Sequence, residues 1–183
     1  SGTGAVFFGT GKVDYESPGV FYCLDTTTGE KKWEFSSSRM ISSSPILDGK
    51  GSLFIGSNDG FLYSLNVETG KENWKYETGG RIHNSSVVIG RNNKIYLGSM
   101  DNKLYCLSKD GEKIWEFKTQ NHIINTPVIG NNNMVYFGST DNNIYAVDGE
   151  TGEEKWIFET SRQVETSPVL DNDGVLYIGS FDQ

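Results

Sequence analysis

Short apolar runs, each bounded by Gly, Asn or Asp, break the chain into segments too brief for helices. Residues 41–77 show the unit. Ile41-Ser42-Ser43-Ser44-Pro45-Ile46-Leu47 predicts a first strand, A. A Gly-rich turn over 48–52 leads into strand B, Leu53-Phe54-Ile55-Gly56-Ser57. Asn58-Asp59-Gly60 predicts a hairpin, because Asp-Gly readily supplies the positive φ angles of a tight turn. Strand C is Phe61-Leu62-Tyr63-Ser64-Leu65, and a turn around Thr69-Gly70 precedes strand D, Asn73-Trp74-Lys75-Tyr76-Glu77. Strand B is apolar on both faces, as a strand covered on both sides must be. Strand D alternates Trp74 and Tyr76 with Lys75 and Glu77, the pattern of an outer edge guarded by charge.

The unit recurs. Trp33, Trp74, Trp115 and Trp156 are spaced by 41 residues, and so are Ile41, Ile82, Ile123 and Val164. A period near 40 with four short strands per unit predicts an all-β propeller array of four-stranded antiparallel blades. The expected division is a partial blade at 1–38, whole blades at 39–79, 80–120 and 121–161, and a partial blade at 162–183. The first partial blade reads as strands B, C and D, and the last as A and B, about 17 strands in all. The first B–C connection, Gly11 to Gly19, is longer than its equivalents and reads as a tolerated surface insertion. Two readings of the ends stay open. The chain is a piece of a longer propeller, or its ends meet, within one chain or in a homodimer completing a ring of about eight blades.

Charge and cysteines narrow the partners. The net charge of -8 argues against nucleic acid and anionic lipid, and no apolar stretch approaches the ~20 residues that span a bilayer, so no membrane insertion is expected. Cys23 and Cys106 occupy one slot of strand C, shared with Ser64 and Ala146, two blades apart. That separation exceeds the ~7 Å a disulfide tolerates, so two free thiols are expected, serving as small packing residues.

The segment Leu24-Asp25-Thr26-Thr27-Thr28-Gly29-Glu30-Lys31-Lys32-Trp33 resembles the tryptophan-docking motif of the pyrroloquinoline quinone (PQQ)-like propeller repeats. Asn66 to Trp74 and Asp148 to Trp156 repeat it, and Ser108 to Trp115 departs by one missing residue and Asp for Thr. Strand A (Thr166-Ser167-Pro168-Val169) and strand B (Leu176-Tyr177-Ile178-Gly179-Ser180) are similar to the same family, so the resemblance covers essentially the whole chain. It implies that Trp33, Trp74, Trp115 and Trp156 tie blade to blade, each packing its ring and donating its indole N–H, with Gly29, Gly70, Gly111 and Gly152 shaping the turns. It divides on function. Some members are PQQ-dependent dehydrogenases. Others are scaffolds without cofactor, among them the lipoprotein subunit of the outer-membrane β-barrel assembly machine and sensor domains fused to kinases. The resemblance also implies an extracytoplasmic place, at the periplasm or cell surface.

A PQQ enzyme needs a hard cation such as Ca²⁺ on oxygen ligands and a carboxylate base. The sequence holds no Cys-Cys pair, and Asp59, Asp101, Asp141 and Asp182 recur at every B–C hairpin, as turn residues do. Asp171-Asn172-Asp173-Gly174 has the look of a calcium loop but sits where the A–B turn belongs and lacks the closing Glu. His83 and His122 are not at metal-ligand spacing. No nucleophile elbow or phosphate loop appears, and the Asn84-Ser85-Ser86 glycosylation signal falls in a predicted inner strand. Variation within the fixed frame is more informative. Met40, Arg81, His122 and Gln163 precede the fixed Ile or Val of strand A, and Ser42, His83, Ile124 and Glu165 follow it. Strand A is the innermost strand, so these positions flank the central channel or its rim, where propellers bind ligands. The leading expectation is a non-catalytic interaction scaffold with a protein partner and no cofactor. The alternatives are a PQQ-dependent dehydrogenase, with PQQ and Ca²⁺, and a ligand-sensing domain.

Overall fold

A computed structural model describes residues 4–10 and 17–182, and most of the B–C insertion, 11–16, lies outside them. The described residues form seventeen strands in five antiparallel sheets. The first sheet holds β1 (Ala5–Thr10), β2 (Gly19–Asp25) and β3 (Lys31–Ser37). Three sheets of four follow: β4 (Ile46–Leu47), β5 (Ser52–Gly56), β6 (Phe61–Asn66) and β7 (Glu72–Glu77); β8 (Val88–Ile89), β9 (Ile95–Ser99), β10 (Lys103–Leu107) and β11 (Lys113–Lys118); β12 (Val128–Ile129), β13 (Met134–Gly138), β14 (Asn143–Asp148) and β15 (Glu154–Glu159). The last pairs β16 (Val169–Leu170) with β17 (Leu176–Tyr177). Each whole sheet runs A-B-C-D in chain order, the meander of a propeller blade. Among the described residues no helix is long and apolar enough to cross a membrane.

The small slot of strand C has a structural reason. Cys23, Ser64, Cys106 and Ala146 each lie between an aromatic on strand B (Phe7, Phe54, Tyr96, Tyr136) and the Trp on strand D. The two rings meet over the small side chain with centroids 5.7, 5.7, 5.8 and 5.7 Å apart in the four sheets. A bulge follows the slot residue in every C–D pair, adding the local twist that turns the Trp toward the next blade. Cys23 and Cys106 are free and buried, and burial pushes the Cys106 thiol up to about 12. These thiols are packing groups rather than nucleophiles.

Strand A is shorter than its apolar pattern predicts. Only two residues of it pair with strand B in each blade. Upstream, a polar side chain replaces the ladder: Ser43 Oγ donates to Gly56 O and accepts from Gly56 N, both at 2.8 Å. Asn125 does the same for Gly138 and Thr166 for Gly179, while Ser85 Oγ accepts from Gly98 N and donates to Asn125 O of the next blade. The fixed Ile or Val packs into the preceding blade where strand B has no side chain. A Cβ on Gly56 would lie 2.3 Å from Ile82 Cγ2, and Gly98 and Gly138 meet Ile123 and Val164 at the same distance. Three apolar clusters fill the joints between successive blades, each combining strands B, C and D of one with strands A, B and C of the next.

The second 41-residue step, from Trp74 to Trp115, hides a compensation. Asn84, exposed and at φ +54°, is one extra residue between Ile82 and Ser85. The turn after Ser108 is one residue short, so the Trp spacing stays at 41. Asn84 therefore sits in an exposed bend, not in the inner strand that the sequence pattern suggested.

Candidate binding face

The A segments of neighbouring blades approach closely enough to bond to one another, which makes this the convergent edge of the array. Ser44 N donates to Ser86 Oγ at 3.0 Å, Ser86 N to Thr126 Oγ1 at 2.9 Å, and Thr126 N to Ser167 Oγ at 3.0 Å. This row of hydroxyls passes from blade to blade and satisfies backbone donors that strand A leaves unpaired.

The rim positions sit on that edge with their backbones fixed by hydrogen bonds to the hairpins. Met40, Arg81, His122 and Gln163 each accept at the carbonyl from the backbone of the B–C hairpin, at 3.0, 2.9, 3.0 and 3.1 Å. The next residue, Ile82, Ile123 or Val164, donates its N–H to the preceding blade at Ser57, Ser99 or Ser139. These frame bonds are made by the backbone, and the side chains borne at these positions differ from blade to blade. Arg81 and Gln163 line shallow grooves of about 210 and 340 Å³ between a B–C hairpin and the following D–A connection. Glu165 is half-buried on the same edge.

The two histidines occupy separate surroundings. His83 Nδ1 lies 3.3 Å from Asn58 Oδ1 and 3.4 Å from Ser42 Oγ. Both of these partners meet the same ring nitrogen, whereas the serine and the orienting carboxylate of a catalytic triad meet opposite nitrogens. Burial, and after it the Arg81 guanidinium, lowers the His83 pKa and favours the neutral ring. Asn58 is buried with its Nδ2 unpartnered; with the amide turned over, that NH₂ would donate to a neutral His83 Nδ1. His122 Nδ1 lies 3.0 Å from Asn102 Oδ1, on the preceding blade.

The recurring aspartates are turn residues, and they have a second role that sequence spacing did not disclose. Asp59 Oδ1 accepts from Phe61 N within the hairpin, and Oδ2 accepts from Tyr63 OH at 2.9 Å and from Ser38 N of the preceding blade at 3.2 Å. Asp101 takes Lys103 N, Tyr105 OH and Gly79 N; Asp141 takes Asn143 N, Tyr145 OH and Gln120 N. Asp182 takes Ser161 N at 3.1 Å. Each carboxylate thus clasps two blades. Burial first, then the aspartate, pushes Tyr63, Tyr105 and Tyr145 well above the ordinary phenol range. A signal was present in the sequence: Asp59, Asp101 and Asp141 are each followed four residues later by Tyr.

Docking by tryptophan follows the expected form at three of four positions. Trp33 Nε1 donates to Val67 O at 3.0 Å, Trp74 to Lys109 O at 3.1 Å and Trp115 to Gly149 O at 3.2 Å. The turn glycine of the next blade lies flat on each ring: a Cβ on Gly70, Gly111 or Gly152 would come within 2.6, 2.7 and 2.7 Å of Trp33, Trp74 and Trp115. Trp156 and Gly29 have no such partner among the described residues.

A calcium–quinone centre would need oxygen ligands converging on one cation. Among the described residues no three His, Cys, Asp or Glu come together as a metal-holding set. Asp171 closes the A–B turn, accepting from Asp173 N at 3.0 Å and Val175 N at 2.8 Å, and these N–H groups hold its carboxyl below the usual range.

A family model described as outer membrane protein assembly factor BamB matches residues 3–92 and again 78–180. The chain belongs to this PQQ-like repeat family. Among solved structures it is similar to BamB from Moraxella catarrhalis, at 21% identity and a TM-score of 0.73, over 88% of this chain and 49% of that one. It is also similar to the computationally designed Ika8 protein, at 15% identity and a TM-score of 0.72, over 90% of this chain and 56% of that one. The chain therefore spans about half the length of these structures. No curated protein matches the sequence. Family membership accounts for the repeated frame of Trp, Gly and Asp, and leaves the side chains of the rim as the variable part.

Proposed function

We propose that the chain is a non-catalytic scaffold, working outside the cytoplasm, that binds a protein partner on the convergent edge. The carrying observation is the rim row. Four backbone carbonyls make the same hydrogen bond in four successive blades, while the residues that bear them are Met40, Arg81, His122 and Gln163. A face with a fixed frame and differing chemistry suits recognition of an irregular polar and apolar surface. The family description, an outer membrane protein assembly factor, supports a protein partner and an extracytoplasmic place. The recurring carboxylates are spent on hairpins and blade joints, which favours binding over quinone chemistry.

Peptides selected from a random phage-displayed library on the wild-type chain provide the test. Their affinity should fall at least about tenfold on the Arg81→Ala/His122→Ala/Gln163→Ala variant, the scale expected when central contacts are truncated. Unchanged affinity in a folded triple variant would remove this face from the account.

A further inference from the structure

Among the described residues two buried side-chain atoms lack a hydrogen-bond partner, Asn58 Nδ2 and Asn133 Oδ1. Asn133 lies in an A–B turn, where its NH₂ donates to Glu150. Asn58 lies at the rim, in the interior of the array, and is 1% exposed. It lines the groove of about 210 Å³ between the B–C hairpin and the D–A connection, together with Arg39, Glu77 and Arg81. Stranding a buried donor costs stability. The blade frame does not ask for an amide there, since the matching residues of the next three hairpins are Met100, Thr140 and Phe181. All four make the same backbone bond, each donating its N–H to a rim carbonyl. The fold therefore gives no reason for the Asn58 NH₂, and the groove it lines gives one.

We propose that this groove receives a carboxylate of the protein partner, which accepts from Asn58 Nδ2 and from the Arg81 guanidinium; the proposal rests on the reading of the rim as the binding face. Arg39 and Arg81 are half-buried, and a guanidinium in such a place suits a carboxylate. The Arg81 charge is felt at the His83 ring, whose Nδ1 lies 3.3 Å from Asn58 Oδ1, so amide and guanidinium flank one imidazole. Of the two carboxylates already lining the groove, Asp59 is engaged by Ser38 N, Ser38 Oγ, Phe61 N and Tyr63 OH, and Glu77 is exposed, where water and salt screen it. The volume fits one side chain or chain end and falls below the ~300–1,000 Å³ of pockets for small-molecule ligands and cofactors. The amide can meet the neutral His83 ring two ways round. With the ring proton on Nδ1, His83 donates to Asn58 Oδ1 and Nδ2 is left for a ligand; turned over, the amide spends its NH₂ on the ring. A carboxylate at Nδ2 selects the first arrangement, and the bond it makes is charge-assisted.

The probe is a phage-selected peptide that the triple rim variant binds weakly. It is remade with each Asp or Glu changed in turn to its amide, and with its C-terminus free or amidated. One of these changes should weaken binding at least about tenfold, and the arm affected tells an acidic side chain from a terminal carboxylate. Asn58→Asp replaces the donor by an acceptor of the same size. It should weaken the acidic peptide at least about tenfold and the amide version much less, so the two losses are not additive. Far-UV circular dichroism checks that the variant folds, and Arg81→Gln, at a half-buried position, should show the same preference for the amide version. At saturation with the acidic peptide, the nitrogen-15 shift of His83 Nδ1 should be that of a protonated ring nitrogen. Binding that the triple variant loses, but that Asn58→Asp and every acid-to-amide change leave intact, would overturn this proposal and keep the rim reading; so would an Nδ1 still unprotonated at saturation. If no selected peptide is weakened by the triple variant, the rim reading falls and the proposal with it.

Discussion

At Gly111 two demands fall on one residue. Its φ of +85° disfavours any side chain, and a Cβ there would lie 2.7 Å from the Trp74 ring of the preceding blade. Gly174, at φ +82° in an A–B turn, meets only the first demand, since nothing lies within 4 Å. The two sites separate backbone strain from docking. Gly174→Ala should cost about 1 kcal/mol, the penalty for a left-handed non-glycine residue. Gly111→Ala adds the displacement of a packed indole and should cost about 1–3 kcal/mol more. Urea denaturation of both variants measures the difference, and equal losses would mean that the turn, not the Trp contact, dictates the glycine.

At the scale of elements, the hairpin aspartates join what the strands alone would leave apart. Removing Asp101 strips partners from Lys103 N, Gly79 N and the buried Tyr105 hydroxyl. Asp101→Ala should therefore destabilise the chain by about 1–3 kcal/mol, the cost of stranding buried polar groups. In a double-mutant cycle with Tyr105→Phe, the coupling should be about 1 kcal/mol or more, and additive losses would deny the clasp. The strand count, the Trp-Gly docking and the hairpin role of these aspartates were all legible in the sequence, because each repeats with the blade. The clasp was not, since spacing shows that an Asp recurs without showing which neighbouring N–H it reaches. Strand A read as seven residues because Ile41 and Pro45 continue an apolar pattern, while Ser43 in fact supplies the bonds that a ladder would. The constant Trp spacing concealed the extra Asn84, because a deletion in the following turn cancelled it. The rim residues were legible as positions, through their variation in a fixed frame. Their environments were not: the pairing of His83 with Ser42 and Asn58 depends on contacts between adjacent blades.

For the whole molecule, the array is a set of like blades held by three repeated joints, with its variable chemistry gathered where the A segments converge. Everything that recurs — Trp, Gly, Asp and the small slot residue — is spent on holding blades together. In the proposed function, what differs serves recognition of a partner rather than cofactor chemistry. The most direct test is a titration of the chain with PQQ in the presence of Ca²⁺, followed by tryptophan fluorescence at a concentration where its assembly state is known. The account predicts no saturable, Ca²⁺-dependent quenching. Tight quenching that a calcium chelator reverses would contradict it and return the chain to the quinone-binding side of its family.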